Sequence, residues 1–198
     1  MIYTFGGMNY SILKTISSVR FAEYLSSQNR RVLYIDSDPA KKAVDFFELK
    51  KNLTILVKCE AENLNEVYRK SYLFDDIVIN SGIGSILEKA VIVSDVVITP
   101  FSSKDRYMWN LWTLKSIESF YVNLVEKNPT VQFFSFLYQD PVYPSKNSGV
   151  HKILSNSKYI KFINNSFFQE LISSPGKTLE NIPEELFNKG DLYGIGTN

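Results

Sequence analysis

In this sequence a Lys-Thr pair, Lys14-Thr15, follows a short apolar segment, and the run Asp36-Ser37-Asp38-Pro39 closes a second one. A loop that cradles phosphate needs glycines, so that successive backbone N–H groups can turn inward. It also needs a lysine against the phosphate oxygens and a Ser or Thr hydroxyl for magnesium at the helix start. Lys14-Thr15 stands where such a loop requires it. The residues before it, Asn9-Tyr10-Ser11-Ile12-Leu13, contain no glycine, and Gly6 and Gly7 lie too early to substitute without a different loop path. The other reading is an ordinary strand-to-helix turn with Lys14 solvated on the first helical turn. Pattern alone leaves both open.

The elements around these residues are legible. Met1 to Phe5 and Arg31 to Ile35 read as strands, and Ser17 to Ser27 carries Val19, Phe21, Ala22, Tyr24 and Leu25 at helical spacing. This is a βαβ unit, and parallel strands need a crossover of that length. In an open α/β sheet the loop after the first strand and the C-terminal end of the second face one crevice, so ligand chemistry belongs near Lys14, Thr15, Asp36 and Asp38. Further strands are expected at Leu53–Val57, Ile77–Ile79, Val96–Thr99 (stopped by Pro100), Val131–Tyr138 and Tyr159–Ile163. Between and after them lie helical stretches at Ala40–Leu49, Glu62–Tyr72, Ile86–Val93, Tyr107–Glu126, Val150–Leu154 and Pro183–Asn188, with loops at Ser81–Ser85 and Ser173–Lys177. Such alternation predicts an α/β fold, a mostly parallel sheet with helices on both faces.

Length and composition set bounds. The chain has 198 residues, suiting one domain over 1–190 with a flexible tail at 191–198. A net charge of +1 with 22% charged residues gives no global basic field, so any nucleic-acid contact must come from a local patch such as Lys41, Lys42, Lys50, Lys51 and Lys58. The single Cys59 cannot form an internal disulfide, and no apolar run reaches the ~18 residues of a membrane span. A cytoplasmic protein is expected. Asp75-Asp76 reads as a solvated strand edge or, less simply, a metal pair, and His151, the only histidine, has no partner placed beside it by a motif.

With these segments in order, the chain resembles the ParA/MinD-type deviant P-loop ATPases of the SIMIBI class, most nearly the short plasmid and chromosome partition proteins. Arg31 to Pro39 resembles that family's second strand with its Asp-x-Asp-Pro ending. Phe74 to Ser85 is similar to its Walker B strand and loop, Val93 to Pro100 to the next strand, and Ser173 to Thr178 to its late loop. In the family the P-loop lysine precedes the first Asp of Asp-x-Asp by about 22 positions, and Lys14 precedes Asp36 by 22.

That register implies roles. Lys14 and Thr15 correspond to the P-loop lysine and the magnesium-binding threonine, Asp36 lies near the metal, and Asp38 orients water. Asn9 takes the place of the family's cross-dimer lysine; Tyr10, Ser11 and Leu13 take its three glycine positions, and Asn80 stands where the Walker B strand would end in Asp. The implied nucleotide contacts are Lys14, Thr15, Asn9 and Ser11, the implied metal ligands Thr15, Asp36 and Asn80, and the implied catalytic pair Asp38 and Lys14. Side chains at glycine positions bring Cβ atoms to where backbone should wrap phosphate, at about 1–2 kcal/mol for any left-handed residue. Losing the lysine at position 9 removes a charge from a dry interface, and Asn80 cannot attract a metal as a carboxylate does. The resemblance therefore implies ATP or ADP with Mg2+ held weakly or not at all, and a partition or positioning protein with impaired or absent hydrolysis. A pseudo-ATPase scaffold that localises a surface or pilus-assembly machine is the alternative. Implied partners are a second copy, a small DNA-binding or localisation protein, and non-specific DNA. Fourteen Phe, twelve Tyr and two Trp, with Tyr107, Trp109, Trp112, Phe120 and Tyr121 around several faces of one helix, suit either a dimer surface or a helix buried between sheet and loops.

Overall fold

The structure, a computed structural model, describes residues 1–8, 11–43, 54–58, 69, 71–102, 114–139, 156–163 and 166–173. Among the described residues there are seven strands: β1 (Ile2–Phe5), β2 (Val32–Asp36), β3 (Thr54–Lys58), β4 (Asp76–Asn80), β5 (Val96–Ser102), β6 (Gln132–Tyr138) and β7 (Ile160–Phe162). The same residues hold four α-helices: α1 (Ile12–Ser27), α2 (Ser85–Val93), α3 (Leu114–Lys127) and α4 (Ser166–Ser173). The strands form one sheet in the order β3-β2-β4-β1-β5-β6-β7, and every pairing is parallel. From β1 the chain crosses to β2 on one side, whereas from β4 it crosses to β5 on the other. The crevice at such a reversal is where open α/β sheets bind ligands.

Alternation along the strands divides the core between two faces. Tyr3, Phe5, Val32, Tyr34, Val78, Ile98, Phe134 and Phe136 pack with Val19, Phe21, Ala22 and Leu25 of α1 and Phe167, Phe168 and Leu171 of α4. On the opposite face Ile2, Leu33, Ile35, Ile77 and Ile79 meet Ala90 of α2, while Val97, Phe101, Phe133 and Leu137 meet Leu87, Tyr121 and Leu124. Strands covered on both faces read as continuous apolar runs, which is how this sequence announces them.

Several boundaries differ from the sequence expectation. Helix α1 begins at Ile12 rather than Ser17, because Ser11 caps it: its backbone is extended and its hydroxyl accepts from Leu13 N–H at 3.2 Å. Pro100 does not stop β5, which continues to Ser102 in register with β6. Ile98 accepts from Gly6 N–H, so two residues on the Pro100 nitrogen faces the same side, beyond the end of β1, where no donor is needed. Helix α4 was not expected, although Phe167, Phe168 and Leu171 have helical spacing and are buried. Ser71–Leu73 is a 3-10 turn where the end of a helix was expected. Most of the stretches expected at Ala40–Leu49 and Glu62–Tyr72, together with Val150–Leu154, Pro183–Asn188, the loop beyond Ser173 and the 191–198 tail, lie outside the described residues.

Gly6 has a packing reason to be glycine. A Cβ there would run into Leu87 Cδ1, where α2 closes on the end of β1. Gly6→Ala is expected to cost about 1–3 kcal/mol in urea unfolding, as overpacking does; an unchanged midpoint would show that Leu87 yields freely.

Candidate functional site

The C-terminal ends of β1, β2 and β4 and the first turn of α1 meet at one point. Ser81 N–H donates to Phe5 O at 3.0 Å and Ser37 N–H to Asn80 O at 2.9 Å, so the three strands stay laced as they leave the sheet. Ser11 leads into the helix, and Lys14 falls on its third residue, with Lys14 N–H bonded back to Ser11 O at 3.2 Å.

Lys14 is 2% exposed, so the reading of a solvated lysine on the first helical turn is overturned. Its ammonium donates to Asp38 Oδ2 at 2.8 Å and to the Ser81 carbonyl. The other Asp38 oxygen accepts from Ala40 N–H at 2.9 Å. Asp36 is also buried; its Oδ1 accepts from Asp38 N–H at 3.2 Å and from Asn80 Nδ2 at 2.9 Å, and its Oδ2 from Ala43 N–H at 3.3 Å. Burial pushes the Asp36 carboxyl above the usual carboxylate range and the nearby Asp38 charge adds to this, while bonds from Asn80 and the Ala43 and Asp38 backbone pull the other way.

Asn80 is fully buried and joins two elements: its Nδ2 serves Asp36 and reaches Thr15 Oγ1 at 3.3 Å. Only the amide nitrogen can serve a carboxylate, which fixes the orientation and leaves Asn80 Oδ1 without a partner among the described residues. Behind the site, Ser18 Oγ donates to Thr15 O at 2.9 Å and lies 2.8 Å from Tyr34 Oη, so the α1 backbone is tied to β2.

Of the residues singled out from sequence, Lys14, Thr15, Asp36, Asp38 and Asn80 come together here. Ser11 is adjacent, with its hydroxyl spent on the helix cap, and Asn9 and Tyr10 lie outside the described residues. Ser81 was missed: its carbonyl holds the lysine, and its place directly after β4 was the available signal.

Asp75 and Asp76 lie at the other end of the sheet. Asp76 is buried and paired with Arg30, with Nη2 to Oδ1 at 2.9 Å, so it is neither solvated nor aimed at a metal. Asp75 is exposed; hydrogen bonds from the Arg31 side chain and N–H hold its carboxyl down at about 2. Lys41 and Lys42 are exposed, whereas Lys50, Lys51, Cys59, His151, Tyr107, Trp109 and Trp112, and the side chain of Lys58, lie outside the described residues. On α3, Tyr121 is wholly buried, donating to Thr99 Oγ1 at 2.6 Å, and Phe120 is half-buried against its ring at 5.1 Å. No described helix is long and apolar enough to cross a membrane.

No protein-family model matches the sequence, and no curated protein matches it. Solved structures do. A plasmid partition protein from Borrelia burgdorferi is 18% identical with a TM-score of 0.61, the match covering 86% of this chain and 93% of that one. A plasmid partition protein from Borrelia burgdorferi B31 bound to AMPPNP is 17% identical with a TM-score of 0.59, covering 86% and 94%. The MinC:MinD cell division complex of Aquifex aeolicus matches at 14% identity and a TM-score of 0.58, covering 86% of each chain. What these likenesses show is the fold, the P-loop nucleotide-hydrolase fold of the ParA/MinD type.

Proposed function

We propose, from this shared fold, that the chain is a ParA/MinD-like partition or positioning protein, a single domain over residues 1–190, whose nucleotide site has lost most or all of its hydrolytic chemistry. The observation that carries the second half is the state of the site. The described groups implied to contact the nucleotide, Lys14, Ser11 and Thr15, each have an intramolecular partner already. The Lys14 ammonium is bound by Asp38 and Ser81, the Ser11 hydroxyl caps α1, and the Thr15 hydroxyl oxygen is met by Asn80.

Charge points the same way. One lysine and two carboxylates, Asp36 and Asp38, leave the described cluster without a spare cation for a polyphosphate, and charges act strongly in a buried site. The site also fits a divalent cation poorly. Thr15 Oγ1 and Asp36 Oδ1, which would have to turn toward a metal, converge on an amide donor. Nucleotide bound at all is therefore bound weakly, with Lys14 and Thr15 as its contacts, Ser11 and Asn9 beside them, and the implied catalytic pair Asp38 and Lys14 tied to each other. Binding would begin with the rupture of the Lys14–Asp38 pair.

In this reading the surfaces do the work: a cytoplasmic homodimer that engages a small DNA-binding or localisation protein, with non-specific DNA as a further ligand. Relatives in fold support it, since MinD was solved with MinC and the Borrelia proteins are partition proteins. The alternative, a scaffold that localises a surface or pilus-assembly machine, draws on the same closed site, because such a role needs no hydrolytic reset.

The test is calorimetric titration with Mg-ATP and Mg-ADP beside a steady-state phosphate-release assay. No release above background and no micromolar binding are expected. Turnover at the rates of active partition ATPases, lost in Thr15→Ala, would overturn the reading.

A further inference from the structure

A threonine hydroxyl and a carboxylate converging on one buried point make a donor set suited to a hard divalent cation, and a second carboxylate from β4 would complete it. Here the β4 residue is Asn80, and its Nδ2 lies 2.9 Å from Asp36 Oδ1 and 3.3 Å from Thr15 Oγ1. An amide nitrogen presents two partly positive hydrogens, so it can satisfy both oxygens at once. The neighbouring carboxylate, Asp38, has the Lys14 ammonium for its charge, whereas among the described residues Asp36 is met by neutral donors: the backbone N–H groups of Asp38 and Ala43, and Asn80.

The unpartnered Asn80 Oδ1 sharpens this. A fully buried amide oxygen with no donor among the described residues is costly, so its cost is offset on the nitrogen side of the group. We infer that the Asn80 amide stands in for a divalent cation, bridging α1 and β2 through Thr15 and Asp36, so that this corner of the fold is complete without metal. The inference rests on the closed-site reading above and deepens it. Asn80 is here a positioning residue that acts through Thr15 and Asp36. With Asp at position 80 two buried carboxylates would face each other, and only a cation or a shared proton could reconcile them.

The test uses the full chain without nucleotide, in wild-type, Asn80→Asp and Asn80→Ala forms, with Mn2+ titration followed by electron paramagnetic resonance and with thermal unfolding in Mg2+ or EDTA. Wild type is expected to bind no Mn2+ at high micromolar concentration and to melt alike in Mg2+ and EDTA. Asn80→Asp should melt below wild type in EDTA, bind Mn2+, and recover roughly 5–10 °C when Mg2+ is at about a hundredfold excess over its dissociation constant. Asn80→Ala should melt below wild type and stay indifferent to metal. Mn2+ binding by wild type, an Asn80→Asp protein that folds yet ignores metal, or an Asn80→Ala protein as stable as wild type would each overturn the inference. If Asn80→Asp fails to fold, the wild-type titration and the alanine variant still decide. ATP turnover by wild type would defeat the proposed function instead, and none of these nucleotide-free readings depends on it.

Discussion

Lys14→Ala is expected to lower the free energy of unfolding by about 3–5 kcal/mol, the loss that follows when one partner of a buried ion pair is removed. The lysine is 2% exposed, and its side chain bonds to Asp38, 8% exposed, at 2.8 Å. Among the described residues alanine would leave Asp38 with only the Ala40 N–H for its charge, and it would take a donor from the Ser81 carbonyl. A lysine kept free for a phosphate would behave differently, because truncating a solvated side chain on a first helical turn changes stability by less than about 0.5 kcal/mol. Urea unfolding of the nucleotide-free protein separates the two, and a loss under about 1 kcal/mol would show that the pair does not hold the fold. The double variant Lys14→Met with Asp38→Leu should recover most of the loss, since removing both charges leaves none buried alone. One practical consequence is that Lys14→Ala is a poor control for nucleotide binding, because it removes structure along with any contact. Thr15→Ala, which loses a single acceptor at 3.3 Å, is the better one.

How far the sequence revealed this site can be seen residue by residue. The strands were legible because Leu33, Ile35, Ile77 and Ile79 on one face and Tyr34 and Val78 on the other make the interiors of β2 and β4 apolar, with Asp36, Asp76 and Asn80 at their ends. The βαβ reading put Lys14 and Asp36 at one crevice, and Asn80 followed from the end of the apolar run Ile77–Ile79 and its resemblance to the family's Walker B strand. Less legible was the start of α1, where Ile12 is half exposed and Leu13, Lys14 and Thr15 are buried, so the first turn shows no amphipathic stripe. Ser11 as a cap was the signal there. Asp38 was placed in the crevice with Lys14, but the Ser81 carbonyl that also holds the lysine was beyond reach, for it lies 67 residues away and is set by strand order, which local periodicity does not encode. Helix α4 escaped because eight residues give too short a window, even with Phe167, Phe168 and Leu171 in phase. Pro100 misled because a strand tolerates proline where its missing N–H faces no partner, and that depends on where β1 happens to end.

Phe168→Ala is the second large effect, expected at about 3–5 kcal/mol, as for a buried phenylalanine removed from a close-packed core. The ring is wholly buried and lies parallel to Phe136 with centroids 4.2 Å apart. It also meets Phe5 at 6.3 Å, Phe21 at 6.1 Å and Phe167 at 5.1 Å, and Phe167 meets Tyr24 edge-on at 5.4 Å. Phe5 is the last residue of β1, Phe21 and Tyr24 belong to α1, and Phe136 belongs to β6, so α4 clamps α1 against the sheet. Aromatic pairs add about 0.5–1.5 kcal/mol beyond their buried area, which puts the loss toward the upper end of the range. Hydrogen exchange should show the α1 amides losing protection together with those of α4, while the amides of α2, which packs on the opposite face, keep theirs relative to the lowered global stability. A loss below about 1 kcal/mol, or exposure confined to α4, would mean that α4 rests on α1 without holding it. The clamp is apolar and contains no group a nucleotide or cation could reach. In the proposed function α1 is positioned by Phe168 and by the Lys14, Asp38 and Asn80 network, and neither support waits on a bound ligand.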